Sequence, residues 1–500
     1  MPRFQLIATS TFGLEKVVAR ELEDLGYTDC RIQDGKVVFS GDLQDIARCN
    51  LWLRCADRIL IQVGQFPAAD FGELFDGIIE LPWADLLPVD AQFPVKGRSN
   101  RSKLHAVPKI QASTKKAIVE ALKKRHNRFR FEESGSEYPI EVAVIRDIAT
   151  LTMDTTGPGL HKRGYRQVSG SAPLRETMAA GLILLSYWNK ERPFLDPFCG
   201  SGTLPIEAAM IGRNIAPGLQ RSFAAEDWEW FDRKIWKEAR SAARDVRHRN
   251  LPAAISASDH NPDAIRSAQR AATNAGVGGS IRFNCAEISD VRSHLEYGCV
   301  ITNPPYGERL GSDEEVEAVY RVLGETLKRL PTWSHYILTS HRGFEHQLGR
   351  RADRRRKLYN GRLECQYYQY QGPKPPYIGT DKHSDREHLS DKHSIRNQEQ
   401  AAREATDVIW NHSTDINLSP TESTPSSTSQ PQEATLISTP VSPCADTELN
   451  EVATSALDDG SICLPDEEAK PKPQAAPFDP LNTFVTDCGS ATPNSALDED

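Results

Sequence analysis

Leu195-Asp-Pro-Phe-Cys-Gly-Ser-Gly-Thr203 reads as a short buried strand that ends on an acid, enters a Gly-rich turn and opens a helix. Glycines at 200 and 202 let the backbone approach a small molecule at the carboxyl end of a parallel strand, the edge where open α/β sheets bind ligands. Pro205 suits the first helical turn, where a missing N–H costs nothing. That same proline stands where a dinucleotide fingerprint needs its third glycine, so a hydride-transfer enzyme is disfavoured. Asp196 is better placed opposite a cation, such as the ammonium of a methionine moiety.

Outward from this stretch, residues 157–372 alternate apolar strands with helical segments, the pattern of a doubly wound α/β domain. Strands are expected at 193–197, 254–258, 280–284, 300–302, 333–339 and 358–370. The strand ending in Asp259 offers a carboxylate that can accept both hydroxyls of a ribose, although an acid simply ending a strand looks the same. Asp259 lies 57 residues beyond Gly202, against about 20 in a minimal unit. The Trp-rich stretch 216–249 accounts for the difference as an insertion.

Val300-Ile-Thr-Asn-Pro-Pro-Tyr306 is an apolar strand running into Asn303-Pro304-Pro305-Tyr306. The exocyclic amine of a base is a poor nucleophile, because its lone pair is conjugated into the ring. The Asn303 side-chain oxygen and the Pro304 carbonyl can accept both amine hydrogens and favour a more tetrahedral nitrogen. The prolines stiffen the loop that carries these acceptors, and the Tyr306 ring offers a stacking face for a base taken out of its helix. No cysteine lies in this loop, which argues against pyrimidine carbon-5 methylation through a thiol nucleophile.

The N-terminal 66 residues follow a β-α-β-β-α-β order, as in a ferredoxin-like unit, with an Asp34-Gly35 hairpin turn. Charge concentrates in the next segment, where 96–130 holds twelve Lys/Arg and one acid, Glu120. Lys96, Arg98, Arg101, Lys103 and Lys109 are read on a strand-to-loop stretch. Lys115, Lys116, Lys123, Lys124, Arg125, Arg128 and Arg130 are read on the following helix and its end. Such a run is often just a solvated helix face, but the near-absence of carboxylates points to a phosphate backbone.

The whole chain, 500 residues with net charge −9, hides this feature. Residues 373–500 hold 8 basic and 23 acidic residues, leaving 52 and 46 in the rest. That stretch is rich in Ser, Thr and Pro, shows no sustained periodicity and reads as a disordered tail. No run approaches the roughly 20 apolar residues of a membrane span, and no secretory leader is visible, so a cytoplasmic protein is expected. The ten cysteines form no C-x-x-C pair and no metal site is expected; His383, His388 and His393 lie too regularly in a polar segment to suggest one.

The 195–203 motif, Asn303-Pro-Pro-Tyr-Gly-Glu-Arg-Leu310 and Leu160-His-Lys-Arg-Gly-Tyr-Arg166 together resemble the THUMP-domain class I RNA methyltransferases, nearest the bacterial 23S rRNA guanine-N2-methyltransferases. The likeness covers about 1–376. It implies a ferredoxin-like unit (1–66), an RNA-binding THUMP domain (45–156, overlapping), a Rossmann-like domain using S-adenosylmethionine (157–372) and the tail (373–500). It also implies that Asp196, Gly200, Gly202 and Thr203 meet the cofactor, that Asp259 holds its ribose, and that Glu287 lies near its adenine. The target base would meet Asn303–Tyr306, with rRNA expected ahead of tRNA. Three alternatives stay open: a tRNA guanine-N2-methyltransferase, an adenine-N6-methyltransferase, and a non-catalytic RNA-binding assembly factor.

Overall fold

Leu14, Val17, Val18 and Leu22 recur at helical spacing and all become buried on one face of α1 (Glu15–Asp24), packed on β1 (Phe4–Ser10) and its neighbours. The computed structural model describes residues 3–166, 174–306, 313–361 and 363–376; most of the acidic tail lies outside them. β2 (Arg31–Gln33) and β3 (Lys36–Gly41) form the expected hairpin, with Gly35 at φ +72° in its turn. Asp42 then starts α2 (Leu43–Trp52) with a capping box: its carboxylate accepts from Gln44 and Asp45 N–H groups while Asp45 accepts from its own. β4 (Ala56–Pro67) closes the β-α-β-β-α-β unit.

β4 is twelve residues long and pairs twice. Its first part lies antiparallel to β1, and its run from Leu60 onward is antiparallel to β7 (Ile148–Asp154). β6 (Ile140–Ile145) and the edge strand β5 (Val95–Asn100) continue the same sheet, in the order β2-β3-β1-β4-β7-β6-β5. α3 (Phe71–Ile79), α4 (Trp83–Leu86) and the twenty-residue α5 (Val107–His126) complete this half.

The second half begins with α6 (Glu176–Leu184), β8 (Phe194–Asp196) and α7 (Thr203–Gly212). The insertion carries α8 (Arg233–Asp245), followed by β9 (Ile255–Asp259), α9 (Pro262–Asn274) and β10 (Ile281–Cys285). β11 (Cys299–Thr302), α10 (Asp313–Lys328), β12 (Ser334–Thr339), α11 (Phe344–Leu348), β13 (Arg354–Asn360) and β14 (Leu363–Tyr370) complete it. Strand order is β10-β9-β8-β11-β12-β14-β13, parallel except for β14. The order reverses between β8 and β11, so the crevice beyond their carboxyl ends is the topological switch point.

Two sequence expectations are corrected. Residues 358–370 are not one strand: Asn360-Gly361, with Gly361 at φ +68°, turns the chain between β13 and β14, as Asn-Gly does in hairpins. Lys109 lies in α5 rather than the loop before it, because Pro108 opens the helix there.

The two halves are tied by buried polar contacts and by the insertion. Arg163 and Glu207 pair with side chains only 1% and 0% exposed, and Arg163 also donates to the carbonyls of Leu160 and Arg54. Glu21 in turn accepts the backbone N–H groups of Arg54 and Cys55. Trp228 stacks on Tyr138 at 5.1 Å and donates its indole N–H to the Glu137 carbonyl. Trp230 donates to the Leu86 carbonyl. The Trp-rich insertion therefore clamps the N-terminal half, a role its composition alone did not reveal.

Candidate active site

β8, β9 and β11 run parallel side by side, so the residues at their carboxyl ends must meet. Asp196, 1% exposed at the end of β8, accepts from the Thr302 hydroxyl of β11 at 2.6 Å and from Phe198 N–H at 3.2 Å. Burial pushes its carboxyl up to about 7, against those two hydrogen bonds; Asp259 nearby adds to the rise. Asp259 at the end of β9 accepts from Gly200 N–H at 2.9 Å and Asn261 N–H at 3.0 Å, one bond to each oxygen. Each carboxylate oxygen keeps a second lone pair for a ligand hydroxyl.

The two glycines have different reasons. Gly200 sits at φ +51°, and a Cβ there would meet no atom of the chain within 4 Å. Gly202, at φ +81°, would place a Cβ 2.9 Å from that of Ala268, so its smallness serves the approach of α9 to α7. Thr203 opens α7 and is 4% exposed; its hydroxyl accepts from the Arg166 guanidinium, which pairs with Glu176 at 3.1 Å. Arg166, part of the Leu160–Arg166 motif, is thus a support for the start of α7 and the turn before it. Glu287 is exposed two residues past β10, whose Cys285 stands in register with Asp259. Cys199 in the same turn is buried, and desolvation followed by the two acids pushes its thiol up, keeping it protonated and unreactive.

On the other side of the switch point, Asn303 follows Thr302 directly. Its side-chain Oδ1 is buried and has no hydrogen-bond partner among the described residues. The loop around it is pinned: Tyr320 donates to the Pro305 carbonyl at 3.0 Å and shares a 2.8 Å hydrogen bond with Thr339. The Tyr306 hydroxyl accepts from Asn360 Nδ2 at 3.2 Å. Tyr306 itself is only 4% exposed, which corrects the stacking role expected of it: in this arrangement its ring is packed in the core and anchors the loop. Pro304 is buried beside Asn303; residues 307–310 of the same run lie outside the described residues.

The cations of 96–130 do not form one patch. Lys96 and Arg98 point away from α5, since Gly97 between them faces Gln111 and Val107 of that helix. Arg98 is paired with Glu141 at 2.7 Å. On α5, Lys115 is bound to Glu133 at 2.8 Å, to the Phe93 carbonyl and over the Phe93 ring, and Lys123 pairs with Glu120. Lys109, Lys116, Lys124 and Arg125 are exposed, as is Lys103 before the helix. Among the described residues no group of His, Cys, Asp and Glu could hold a metal ion, and no helix is long and apolar enough to cross a membrane.

Comparison with known proteins adds three matches to family models along the chain. Residues 5–60 match the RlmL ferredoxin-like domain, 68–154 the THUMP domain, and 163–369 the RMKL-like methyltransferase domain. The chain is 46% identical over 372 residues, 74% of its length and 96% of the relative's, to the "Putative RNA methyltransferase YpsC" of Bacillus subtilis. A crystal structure of a "predicted N6-adenine-specific DNA methylase" from Listeria monocytogenes matches at 49% identity and TM-score 0.71, over 75% of this chain and 97% of that one. A second, of SMU.472, "a putative methyltransferase complexed with SAH", matches at 45% and 0.71, over 75% and 100%.

Proposed function

We propose an activity from one premise: this chain belongs to the family of THUMP-containing RNA methyltransferases with S-adenosylmethionine as methyl donor. The reading is transfer of that methyl to the exocyclic 2-amino group of a guanine in RNA, with 23S rRNA as the expected RNA and the cytoplasm as the place. The observation that carries it is the buried Asn303 Oδ1 without a partner. A buried acceptor left unmet costs about 1–3 kcal/mol, so its persistence at the switch point fits an acceptor reserved for a donor that arrives with substrate.

S-adenosylmethionine supplies a methyl group on a sulfonium, electrophilic enough for a neutral amine. Asp196 would pair with the methionine ammonium and Asp259 with the ribose hydroxyls, while Gly200 leaves the turn its room. Asn303 Oδ1 and the Pro304 carbonyl accept the two amine hydrogens and aim the nitrogen lone pair. The amine is the nucleophile: the nitrogen–methyl bond forms as the sulfonium–methyl bond breaks, S-adenosylhomocysteine leaves and the nitrogen sheds one proton to solvent. No covalent base–enzyme bond is needed, and the protonated Cys199 thiol offers none. Holding the two reactants in line supplies most of the rate.

A second reading, adenine N6, draws on the description of the Listeria relative and on the same two acceptors, which suit either amine. Nucleoside mass spectrometry of rRNA and tRNA from cells lacking the protein separates them. Loss of N2-methylguanosine from rRNA supports the main reading; loss from tRNA moves the substrate; loss of N6-methyladenosine moves the base. No lost modification sinks all three.

Two expected results follow from the site. Asp196 must ionise to pair with a cationic amine, and its carboxyl titrates near 7. Affinity for S-adenosylhomocysteine therefore falls up to tenfold per unit as pH drops below about 7 and levels off above it. The raised value also means that Asp196 adds stability at low pH that is lost as pH rises through about 7. Calorimetric titration from mildly acidic to mildly basic buffer reads the first effect, and Asp196→Asn should flatten both. For RNA, charge reversal at Lys116 and Lys124 should lower the log–log salt slope of binding by about 0.7–0.9 per lysine that meets a phosphate. The same change at the paired Lys115 should do less, as filter binding across a salt series will show.

A further inference from the structure

Phe12 is a large apolar side chain that the fold leaves 52% exposed. It lies in the turn between β1 and α1, far in sequence from the catalytic half, yet its ring meets that of Tyr359 on β13 edge-on at 5.9 Å. The approach is built in. Gly13, at φ +95°, lies so close to β13 that a Cβ would stand 2.9 Å from Leu358 Cδ2 and 3.0 Å from the Lys357 carbonyl. The turn is also braced. Glu15 accepts from Gly13 and Gly35 N–H groups at 2.8 and 3.0 Å, and Thr11 donates to Asp57, which Thr177 of α6 holds as well.

The direction of β13 says at which end of the sheet this ring lies. β12 runs parallel to β11, β14 antiparallel to β12, and β13 antiparallel to β14. β13 therefore ends at the same edge of the sheet as β8, β9 and β11. Asn360, next to Tyr359, reaches across that edge to the Tyr306 hydroxyl of the Asn-Pro-Pro-Tyr loop. The exposed Phe12 thus lies at the carboxyl end of the sheet, against its edge strand β13 and two residue contacts from the loop that holds the target amine. Lys357 lies 5.5 Å from the Tyr359 centroid, but its ammonium is paired with Glu364 at 2.6 Å, so the recognition falls to the aromatic pair itself. An exposed ring fixed from behind, at the end of the sheet that holds a site for a base, is what stacks a single-stranded base. The burial of Tyr306 leaves stacking at this end to another ring.

We propose that Phe12, backed by Tyr359, stacks on the RNA base adjacent to the one that is methylated, so that the N-terminal unit contributes a ring to substrate recognition at the catalytic edge. This rests on the reading of the chain as an RNA methyltransferase with its base site at Asn303. The role is one of substrate positioning, and it is read by binding rather than turnover.

The probe is a single-stranded oligouridylate holding one guanosine flanked by 2-aminopurine, added to the full chain saturated with S-adenosylhomocysteine. Stacking quenches 2-aminopurine fluorescence on binding. Phe12→Ala should reduce that quench and weaken binding roughly tenfold, while Phe12→Trp keeps both and affinity for S-adenosylhomocysteine stays within twofold in each. Phe12→Leu retains apolar contact with Tyr359 but no ring, so a loss equal to that of Phe12→Ala supports stacking. Recovery by leucine, or quench and affinity unchanged in Phe12→Ala, overturns the proposal. Methylation by Phe12→Ala and Asn303→Ala of total RNA, measured alongside, keeps the two readings apart. If Asn303→Ala is silent but the quench follows Phe12, the amine-acceptor reading fails and the stacking stands.

Discussion

Asn303→Ala should lose methyl transfer by roughly 10²–10³-fold while binding S-adenosylhomocysteine within twofold of the native chain. The magnitude is that of removing one preorganised polar group aimed at charge developing in a transition state. As the amine nitrogen attacks, its hydrogens become more acidic, and an acceptor fixed beforehand stabilises that change without reorganising. The fixing is visible: Tyr320 holds the Pro305 carbonyl, Asn360 holds the Tyr306 hydroxyl, and Thr302 joins β11 to Asp196. Alanine removes the acceptor and leaves these three bonds in place.

Asn303→Asp is the sharper companion. It keeps an acceptor oxygen in the same position and should retain more activity than alanine, whereas a purely structural role would be harmed more by a buried charge than by a methyl group. Single-turnover rates on total RNA from cells lacking the protein, with calorimetry for the cofactor, measure both. An alanine variant at native rate removes Asn303 from the chemistry, and the second acceptor at Pro304 would then have to carry the amine alone.

How far these residues could be read from the chain alone depends on how local their signals are. Asp196, Asp259 and Asn303 each end an apolar run and precede a turn or cap, so strand ends and chemistry coincide in a few consecutive residues. The order of elements through β4 was legible for the same reason. What periodicity does not encode is which strands share a sheet. The double pairing of β4 joins the ferredoxin-like and THUMP segments into one sheet, and only tertiary contact decides it. The Tyr306 ring looked free because its loop is polar and proline-rich, but its burial is imposed by β13 and β14 from some 50 residues downstream. Gly202 reads as a ligand contact because glycine near a binding turn usually is; the second demand on its smallness, Ala268, comes from α9, two helices later. Among the cations, those with carboxylate partners drop out once Glu133 and Glu141 are brought beside them. Charge density along the chain survives as a signal only where folding leaves it unpaired.

The largest effect on stability should come from Glu207. Its carboxylate is fully buried between Arg163 and the Tyr165 hydroxyl, and Arg163 is 1% exposed. Removing one member of such a pair strands the other charge in the interior, at a cost of about 3–5 kcal/mol, whereas replacing both with apolar groups of similar volume is often neutral. Glu207→Gln keeps the shape and loses the charge, so it should destabilise by close to that amount. Arg163→Met with Glu207→Leu should recover part of it. The recovery should be incomplete, because Arg163 also donates to the Leu160 and Arg54 carbonyls, which join the segment before α6 to the N-terminal sheet. Those carbonyls lose their donor in the double variant, at about 1 kcal/mol or more each. Urea unfolding followed by both tryptophan fluorescence and far-ultraviolet dichroism measures the loss and checks that both signals move together. A Glu207→Gln chain within 1 kcal/mol of native would mean that Arg163 finds another anion on relaxation, and Glu176, which bears on the same guanidinium, is the residue to remove next.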